Sequence, residues 1–495
     1  MSSNTSSSNL TAAFVDLATY DEPEKYMYGG ETAVTYFVKK VRKSTWFSVA
    51  PTVLSISGGN PGFGQSWGHK ISRAGDYLLR TWLRVQVPSV SLAQTNLPAG
   101  WAFGDCGLRW TRNLGHNLIR EINISFNDLV AERMDSFFLD FWSAFTMPGN
   151  KRNGYNNMIG NYAELTNPRA ISNNPNQYQT LPQVVLNIPL PFFYSRDTGI
   201  SLPTAAIPYN DMVHYVTFRD INQLLVIDNY NLHLSVAAQR QNLTNATPQL
   251  YCDMWAEYAI VSNVERSQMG KAPRDILMEQ VQTAPQTTFT ATQNSITNTD
   301  IRFAHSIKAL FFAVRNKTNQ AEWSNYTSAS PVPYPTGVQF SPALASDPIQ
   351  QTSLLYENTA RLVNMGSDYF SLVVPWYNAV SIPMETGYHL LSYTLDLINT
   401  NPMGSTNYGK LTNVSFQFQP SLDASLAAAG GDLLGGAPVE QQFEVVVVGL
   451  NHNIVRISGG ANFGESKRAP TADCSTSCKL ILVEENSVMT CIQVC

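Results

Sequence analysis

Residues 79–87 read LRTWLRVQV, a stretch in which apolar and polar side chains largely alternate with a period of two. A β-strand points successive side chains to opposite faces, so this alternation is typical of a strand with one buried face. The same period recurs in residues 122–127, INISFN, and in residues 414–419, VSFQFQ. The predicted core positions of the three stretches are Leu79, Leu83, Val85, Val87, Ile122, Ile124, Phe126, Val414, Phe416 and Phe418.

Two other stretches are almost entirely apolar: residues 309–314, ALFFAV, and residues 443–450, FEVVVVGL. Such runs predict strands that are covered on both faces. The 30 glycines and 27 prolines punctuate the chain throughout. Many short strands with this punctuation favour an all-β fold of sandwiches or barrels.

Helix is predicted in two places. Residues 129–147, LVAERMDSFFLDFWSAFTM, carry aromatic side chains at helical spacing, and Pro148 follows as a stop signal. We expect this aromatic stripe to pack in the core and not to bind a ligand. A second short helix is predicted over residues 275–282, after Pro273.

The two halves of the chain resemble loose repeats. Residues 71–87 match residues 301–316, residues 118–128 match residues 353–358, and residues 202–218 match residues 402–418. The shared order predicts two similar sandwiches in tandem, joined near residues 219–249.

Composition limits the possible functions. The chain has 495 residues and 14% charged residues, against about 25% in an average globular protein. A surface largely covered by neighbouring subunits would explain this, and so would a surface built from Asn, Gln, Ser and Thr. The net charge is −5, and the longest basic cluster is Lys39, Lys40, Arg42 and Lys43. We therefore expect no direct nucleic-acid binding.

The N-terminal sequence MSSNTSSSNLTAAF lacks the pattern of a secretory signal, and no window of the sequence suits a membrane span. We expect the chain to fold in a reducing cytosol. Four of the six cysteines, Cys474, Cys478, Cys491 and Cys495, lie in the last 22 residues. Their C-x3-C spacing departs from the usual zinc-ribbon pairs, so we expect a mobile tail with free thiols and no metal site.

Asp197-Thr198-Gly199 matches the catalytic triplet of aspartic proteases, but the chain has no second such triplet. That chemistry needs two carboxylates sharing a proton, so we interpret the triplet as a turn in which Asp197 pairs with Arg196 or with backbone amides. Gly199 would then supply a backbone conformation that other residues avoid.

A glycosidase would need two facing carboxylates, and no pattern pairs the candidate acids Glu121, Asp128 and Glu357. The seven histidines are scattered, so we expect surface or hydrogen-bonded core roles for them. We predict no catalytic residue, no cofactor-binding residue and no metal ligand. A carbohydrate-binding or carbohydrate-cleaving β-sandwich, such as a viral attachment protein, is the alternative function.

Several longer phrases resemble one family. They include ISRAGDYLL (71–79), PLPFFYSRDTGISLPTAAIPYN (189–210), RFAHSIKALFFAVRN (302–316), DPIQQTSLLYEN (347–358), MGSDYFSLVVPWY (365–377) and NHNIVRISGGANFG (451–464). These phrases resemble the major capsid proteins of large icosahedral double-stranded DNA viruses, and most closely those of the iridescent viruses. The resemblance runs from about residue 14 to residue 464.

This resemblance implies a double jelly roll of two eight-stranded sandwiches, with an N-terminal arm at residues 1–28, jelly rolls at 29–225 and 226–460, and a tail at 461–495. It also implies a homotrimer whose six jelly rolls form a pseudo-hexagonal capsomer of the virion shell, assembled in the host cytoplasm.

The implied partners are other copies of the chain, minor capsid and penton proteins, and an internal membrane faced by the N-terminal arm. Relatives end soon after the GG-x-x-FG segment, so the cysteine-containing tail is either an extension that contacts neighbours or a sequence artefact.

Overall fold

The computed structural model describes residues 5–207, 210–232, 234–269, 274–292, 295–317, 322–328, 346–425, 441–458 and 479–482. The chain divides into two units, Met1–Trp46 and Phe47–Cys495. The strands of the described residues are β1 Phe47–Val53, β2 Ser55–Gly58, β3 Ser66–Lys70, β4 Tyr77–Val87, β5 Val90–Ser91, β6 Cys106–Trp110, β7 Ile119–Phe126, β8 Leu129–Asp135, β9 Thr180–Leu181, β10 Val184–Leu190, β11 Met212–Phe218, β12 Leu225–Asn229, β13 Leu234–Ala237, β14 Tyr251–Val261, β15 Arg274–Thr283, β16 Thr287–Thr290, β17 Thr297–Asp300, β18 Ser306–Asn316, β19 Ile349–Tyr356, β20 Thr359–Gly366, β21 His389–Ser392, β22 Thr406–Asn407, β23 Val414–Pro420, β24 Gln442–Ser458 and β25 Lys479–Leu482.

Helices are short and lie mostly between strands. The α-helices of the described residues are α1 Thr5–Ala18, α2 Glu22–Met27, α3 Leu114–Leu118, α4 Ser136–Thr146, α5 Arg152–Ile159, α6 Ala163–Thr166, α7 Pro168–Ile171, α8 Pro175–Tyr178, α9 Asn263–Met269, α10 Val374–Asn378 and α11 Leu422–Ser425. In the unit Met1–Trp46, Asp21 and Glu24 form a capping box that starts α2.

The first sandwich is built from β1 to β14. One sheet has the order β1-β14-β4-β10, and the facing sheet has the order β2-β3-β11-β7-β8. Smaller sheets, β13-β12-β6 and β5-β9, complete it. Side chains from both large sheets, such as Leu83, Val85, Ile122 and Ile124, share one buried core. The alternation of residues 79–87 and 122–127 therefore correctly predicted half-buried strands.

One position of β4 departs from that alternation. The register between β4 and β14 shifts where Glu257 and Tyr258 meet Arg80 and Leu78. This bulge leaves Leu79 half-buried and puts Leu78 into the core, so Leu79 was wrongly predicted to be a core position.

The second sandwich is built from β15 to β25. Its larger sheet has the order β15-β24-β18-β21, with β16 and β25 on β24 and β22 on β18. Its smaller sheet has the order β17-β23-β19-β20. Phe416 and Phe418 of β23 pack against Phe312 of β18 between the two sheets. The alternation of residues 414–419 is confirmed.

The predicted repeat is visible in the strand pairing. β4 lies between β14 and β10, as β18 lies between β24 and β21, and β11 pairs with β7 as β23 pairs with β19. Both halves also have a two-residue hairpin with left-handed backbone, at Asn127 and Asp128 in one and at Glu357 and Asn358 in the other. Three weak sequence matches thus mark equivalent strands of two sandwiches.

Strands β18 and β24 are buried on both faces, as their apolar runs predicted. Leu310 and Phe312 point into the core of the second sandwich. Phe311 and Ala309 point the other way, into the core that contains the first sandwich. The larger sheet of the second sandwich is therefore covered on one face by its own partner sheet and on the other face by the first sandwich.

Both helix predictions need correction. Only Ser136–Thr146 of residues 129–147 is helical, because Leu129–Asp135 pairs with β7 as β8, and the Asp135 carboxylate then caps α4 at the Phe138 amide. The aromatic stripe of α4 is buried, as expected. Residues 275–282 lie within β15, because ten residues of this strand pair with β24.

The join between the sandwiches also lies elsewhere than expected. Residues 219–249 contain β12 and β13, which pair with β6 of the first sandwich. A boundary at residue 225 falls at the start of β12, and β14 pairs along β4 although it lies beyond that boundary. The chain leaves the first sandwich after Val261 and enters the second at Arg274.

Candidate functional site

The Asp-Thr-Gly triplet forms an exposed turn. The Asp197 carboxylate accepts hydrogen bonds from the Gly199 amide at 2.9 Å and from the Thr400 hydroxyl at 3.4 Å. The expected contact with backbone amides is confirmed, but Arg196 turns away to buried acids. Gly199 does not have a left-handed backbone, so its predicted conformational role is wrong. No second carboxylate among the described residues hydrogen-bonds Asp197, and nothing there resembles a protease dyad.

One constellation that the sequence did not indicate joins Ser367, His389 and Asp347. The Ser367 hydroxyl and the Asp347 carboxylate both approach His389 Nε2 at 2.8 Å, and the serine also donates directly to the carboxylate. A nucleophilic triad needs the acid on one ring nitrogen and the serine on the other. Here Nδ1 of His389 is buried without a partner among the described residues. The arrangement therefore cannot activate the serine and is a structural link.

The three candidate glycosidase acids are not brought together. Glu121 pairs with Arg133, and Glu357 accepts hydrogen bonds from the Thr412 and Asn413 amides. Asp128 occupies the turn between β7 and β8. None of the three shares a hydrogen bond with another acid in the described part of the chain. The geometry gives the carbohydrate-cleaving alternative no support.

The histidines and cysteines that the structure describes show no metal-binding geometry. His116 is buried and bonds Asp140 and Tyr155, each at 2.7 Å, which fits the core role expected of it. Burial raises the pKa of the Cys106 thiol to about 11 and that of the Cys252 thiol to about 12, so neither is a thiolate at neutral pH. Within the described residues no group of three or more His, Cys, Asp or Glu could hold a metal ion. The four tail cysteines lie outside the described residues.

The most developed polar feature is the seam, which we define as the contact between two sets of residues. The first sandwich contributes β6, β8, α4 and Arg196, and the second contributes β15, β18 and residues 322–326. Its apolar part is aromatic. The Phe311 ring of β18 lies 6.4 Å from Phe138, 6.1 Å from Phe141 and 5.6 Å from Phe145, measured between ring centroids. Such pairs add to the energy of burial and fix the two sandwiches against each other.

A buried charge cluster, formed by Glu132, Arg196, Glu279 and Lys308, crosses the seam. Glu279 accepts hydrogen bonds from Lys308 at 2.6 Å and from Arg196, and Arg196 also approaches Glu132. Desolvation raises the pKa of Glu132 to about 7, although Arg196 and the Phe193 amide oppose this. Burial lowers the pKa of Lys308, and Glu279 opposes that shift.

A second group of polar contacts reinforces the same seam. Arg109 of β6 donates a hydrogen bond to Asp228 at 2.6 Å. It also donates one to Glu322, which lies between β18 and β19 of the second sandwich. Asp140 of α4 accepts hydrogen bonds from the Ser324 and Tyr326 hydroxyls. Partners this buried are costly to separate, and both sandwiches lie within the one compact unit Phe47–Cys495.

The surface carries an exposed apolar patch, which we call the α10 patch and define by Trp376, Tyr377 and Leu395. Trp376 and Tyr377 are 70% and 76% exposed. Asn378 fixes the neighbouring loop by donating to the carbonyls of residues 394 and 395. Large exposed aromatic side chains on an ordered element are typical of protein–protein contacts.

No described helix combines the length and the apolar character needed to cross a membrane. The basic cluster Lys39, Lys40, Arg42 and Lys43 lies in the unit Met1–Trp46 and is exposed there. Four charges over five residues are too short a run to form the extended basic surface that nucleic-acid binding requires.

Comparisons with known proteins agree with this architecture. A protein-family model described as "Major capsid protein N-terminus" matches residues 35–261. A second family model, described as "Large eukaryotic DNA virus major capsid protein", matches residues 265–462. The chain is 55% identical over 462 residues to the major capsid protein of Costelytra zealandica iridescent virus, covering 92% of this chain and 98% of the relative. It is 42% identical over 462 residues to the major capsid protein of Frog virus 3 (isolate Goorha), covering 93% and 98%.

Solved structures show the same fold at low identity. The PBCV-1 virus capsid structure matches with a TM-score of 0.65 and 18% identity, over 85% of this chain and 97% of that one. The Faustovirus major capsid protein matches with a TM-score of 0.61 and 10% identity, over 86% and 93%. The two sandwiches are therefore the two halves of a double jelly roll.

Proposed function

The chain belongs to the major capsid protein family of large eukaryotic DNA viruses, close to those of the iridescent viruses, and we propose that it acts as a homotrimer whose six jelly rolls form a pseudo-hexagonal capsomer. It is a structural protein of an icosahedral virion shell and not an enzyme. The observation that carries the proposal is that one chain contains two equivalent sandwiches fixed by a buried seam.

The seam explains why such a chain suits this role. Three copies of one rigid pair place six similar sandwiches around a three-fold axis, which gives an almost six-fold outline from one gene product. A hexagonal outline lets neighbouring capsomers meet through repeated contacts. Buried ion pairs such as Arg109–Glu322 hold the angle between the two sandwiches, and that angle sets the outline.

The division of the chain follows the strand pairing in this proposal. We assign residues 1–46 to the N-terminal arm, residues 47–261 to the first jelly roll and residues 274–458 to the second, in place of the boundaries expected from the sequence. The pairing of β14 with β4 supports this assignment. We assign the later residues, with the four tail cysteines, to a tail that adds β25 to the edge of the second jelly roll by pairing with β24.

Contacts between subunits need an apolar surface, and the α10 patch supplies one. Trp376 and Tyr377 offer large aromatic surface with few rotamers to immobilise, which favours binding. The low content of charged residues, 14% of the chain, fits a surface that is mostly covered in the assembly. We assign the α10 patch to a contact with a second copy of this chain.

The remaining partners rest on the family. We propose that the capsomer contacts minor capsid and penton proteins, that the N-terminal arm faces an internal membrane, and that assembly takes place in the host cytoplasm. Direct nucleic-acid contact is not part of the proposal, because the chain has a net charge of −5 and no extended basic surface among its described residues.

Light scattering on the purified full-length chain tests the assembly. We expect a mass of three chains, and a monomer at every concentration would contradict the trimer. Trp376→Glu should shift the mass toward one chain, whereas Trp376→Phe, which keeps an aromatic side chain, should not. A stable trimer of Trp376→Glu would reject the α10 patch as the contact and leave the trimer itself standing.

A further inference from the structure

A cleft of about 770 Å³ opens at the edge of the seam and is lined by arginines from both jelly rolls. Arg120 and Arg133 come from β7 and β8, and Arg219 follows β11. Arg302 comes from the segment between β17 and β18. We call this the arginine cleft. Its volume lies within the range of about 300–1,000 Å³ that is usual for small-molecule sites.

The acids in the arginine cleft do not balance these charges. Glu121 is engaged by Arg133, and Asp135 is engaged by the Thr283 hydroxyl and the Phe138 amide. Four arginines and two acids line the cleft, which leaves an excess of two positive charges when all are ionised. This excess stands in a chain whose net charge is −5.

Two of the arginines have guanidinium groups that are free to bind a ligand. Arg120 and Arg302 are exposed, and neither side chain makes a hydrogen bond or an ion pair with any residue that the structure describes. They approach the cleft from different jelly rolls. A ligand between them would therefore be held from two sides.

Arg219 lines the arginine cleft, is buried and is held in place. It donates to the Asn117 carbonyl at 3.2 Å and to the Ser136 hydroxyl at 3.0 Å, and its guanidinium lies 3.6 Å from the centre of the Trp323 ring. Its pKa is lowered to about 9, first by burial and then by the charge of Arg315. The charge of a bound anion would stabilise the guanidinium cation and so oppose both effects.

We propose that the arginine cleft binds a phosphate-bearing anion with several negative charges. Guanidinium groups match phosphate oxygens in paired, charge-assisted hydrogen bonds, and here several converge on one space. The source of the phosphates is either a free polyphosphate or the headgroup of a phosphorylated lipid. A nucleic-acid strand is a worse fit, because its backbone needs a basic track and the described residues offer one localised cleft.

Titration calorimetry of the full-length protein with tripolyphosphate tests the free anion. Flotation with phosphatidylcholine vesicles, with and without phosphatidylinositol bisphosphate, tests the headgroup. Binding in either arm supports the proposal, and the arm that binds identifies the source. The absence of binding in both arms at low salt overturns it, as does equal binding of an oligoglutamate peptide, which would show a general preference for negative charge.

The double variant Arg120→Gln/Arg302→Gln should weaken binding by about tenfold or more, since each charge-assisted hydrogen bond contributes substantially to affinity. Both side chains are exposed, so the fold and the assembly should be unchanged in thermal melting and light scattering. Arg361→Gln changes another exposed arginine of the second jelly roll, distant in sequence, and should bind like the unmodified chain. Equal affinity of the double variant and this control would reject the cleft as the site.

Discussion

The charge cluster at the seam gives the sharpest stability prediction, for the substitution Glu279→Gln. The Glu279 side chain is 2% exposed and is shared by two buried cations, Lys308 and Arg196. Glutamine keeps the shape of the side chain but removes its charge. Lys308 would then keep the Asn399 carbonyl at 2.7 Å, and Arg196 would keep its 3.4 Å contact with Glu132.

Removing one partner of a buried ion pair costs about 3–5 kcal/mol, because it leaves an uncompensated charge in a poorly solvated place. We expect Glu279→Gln to lower the free energy of unfolding by an amount in that range. Adding Lys308→Met to this variant should recover part of the loss, because it removes one of the two stranded cations and leaves an apolar side chain.

Urea unfolding at a fixed protein concentration is the assay, since subunit association contributes to apparent stability. Asp275→Asn is the matched control on the same strand. Its partner Arg456 is bonded at 2.7 and 2.8 Å, but both side chains are about half exposed and screened by water, so the loss should be much smaller than that of Glu279→Gln. If Glu279→Gln lost no more stability than this control, the argument that the cluster holds the seam would be refuted.

Three further predictions concern pH, packing and backbone. The pKa of Glu132 is raised from 4.5 to about 7, so the native state binds this proton more tightly than the unfolded state does. The stability that the bound proton contributes should therefore be lost as the pH rises from 4.5 to 7. The urea midpoint of Glu132→Gln, measured over the same pH range, should lack this loss. Phe311→Ala should cost about 3–5 kcal/mol in urea unfolding, and a loss under about 1 kcal/mol would contradict the packing of the seam. Gly387→Ala should lower the melting temperature far more than Gly100→Ala. Both glycines have a left-handed backbone, but only at Gly387 would an added Cβ collide with the Tyr326 carbonyl. Equal losses in melting temperature would contradict this packing.

The strands could be predicted because burial imposes their pattern. A sheet with one face in the core requires alternation, as in β23, and a sheet covered on both faces requires continuous apolar residues, as in β18. The three repeat matches were weak one by one, yet they fell on central strands, where packing restricts the choice of side chain most.

The two helix predictions failed where strand pairing overrides the helical spacing of apolar residues. Met134 fits the helical stripe of α4 by its spacing, but β8 pairs with β7 through the left-handed turn at Asn127 and Asp128. Two signals could have placed the boundary. Asn and Asp at residues 127–128 favour a hairpin turn, and Asp135 is a preferred residue at a helix N-terminus.

The seam could not be predicted from one sequence. Arg196 and Glu279 are 83 residues apart, and Arg109 and Glu322 are 213 residues apart. Charged residues at such separations give no periodic signal, and their burial follows only when the two sandwiches pack. The arginine cleft is hidden for the same reason, since its arginines come from four separate segments.

Electron microscopy of the purified full-length chain tests the central claim most directly. The account predicts particles with three-fold symmetry and six lobes in a nearly hexagonal outline, two lobes from each chain. Isolated two-lobed particles at every concentration, or rings with another number of chains, would contradict it.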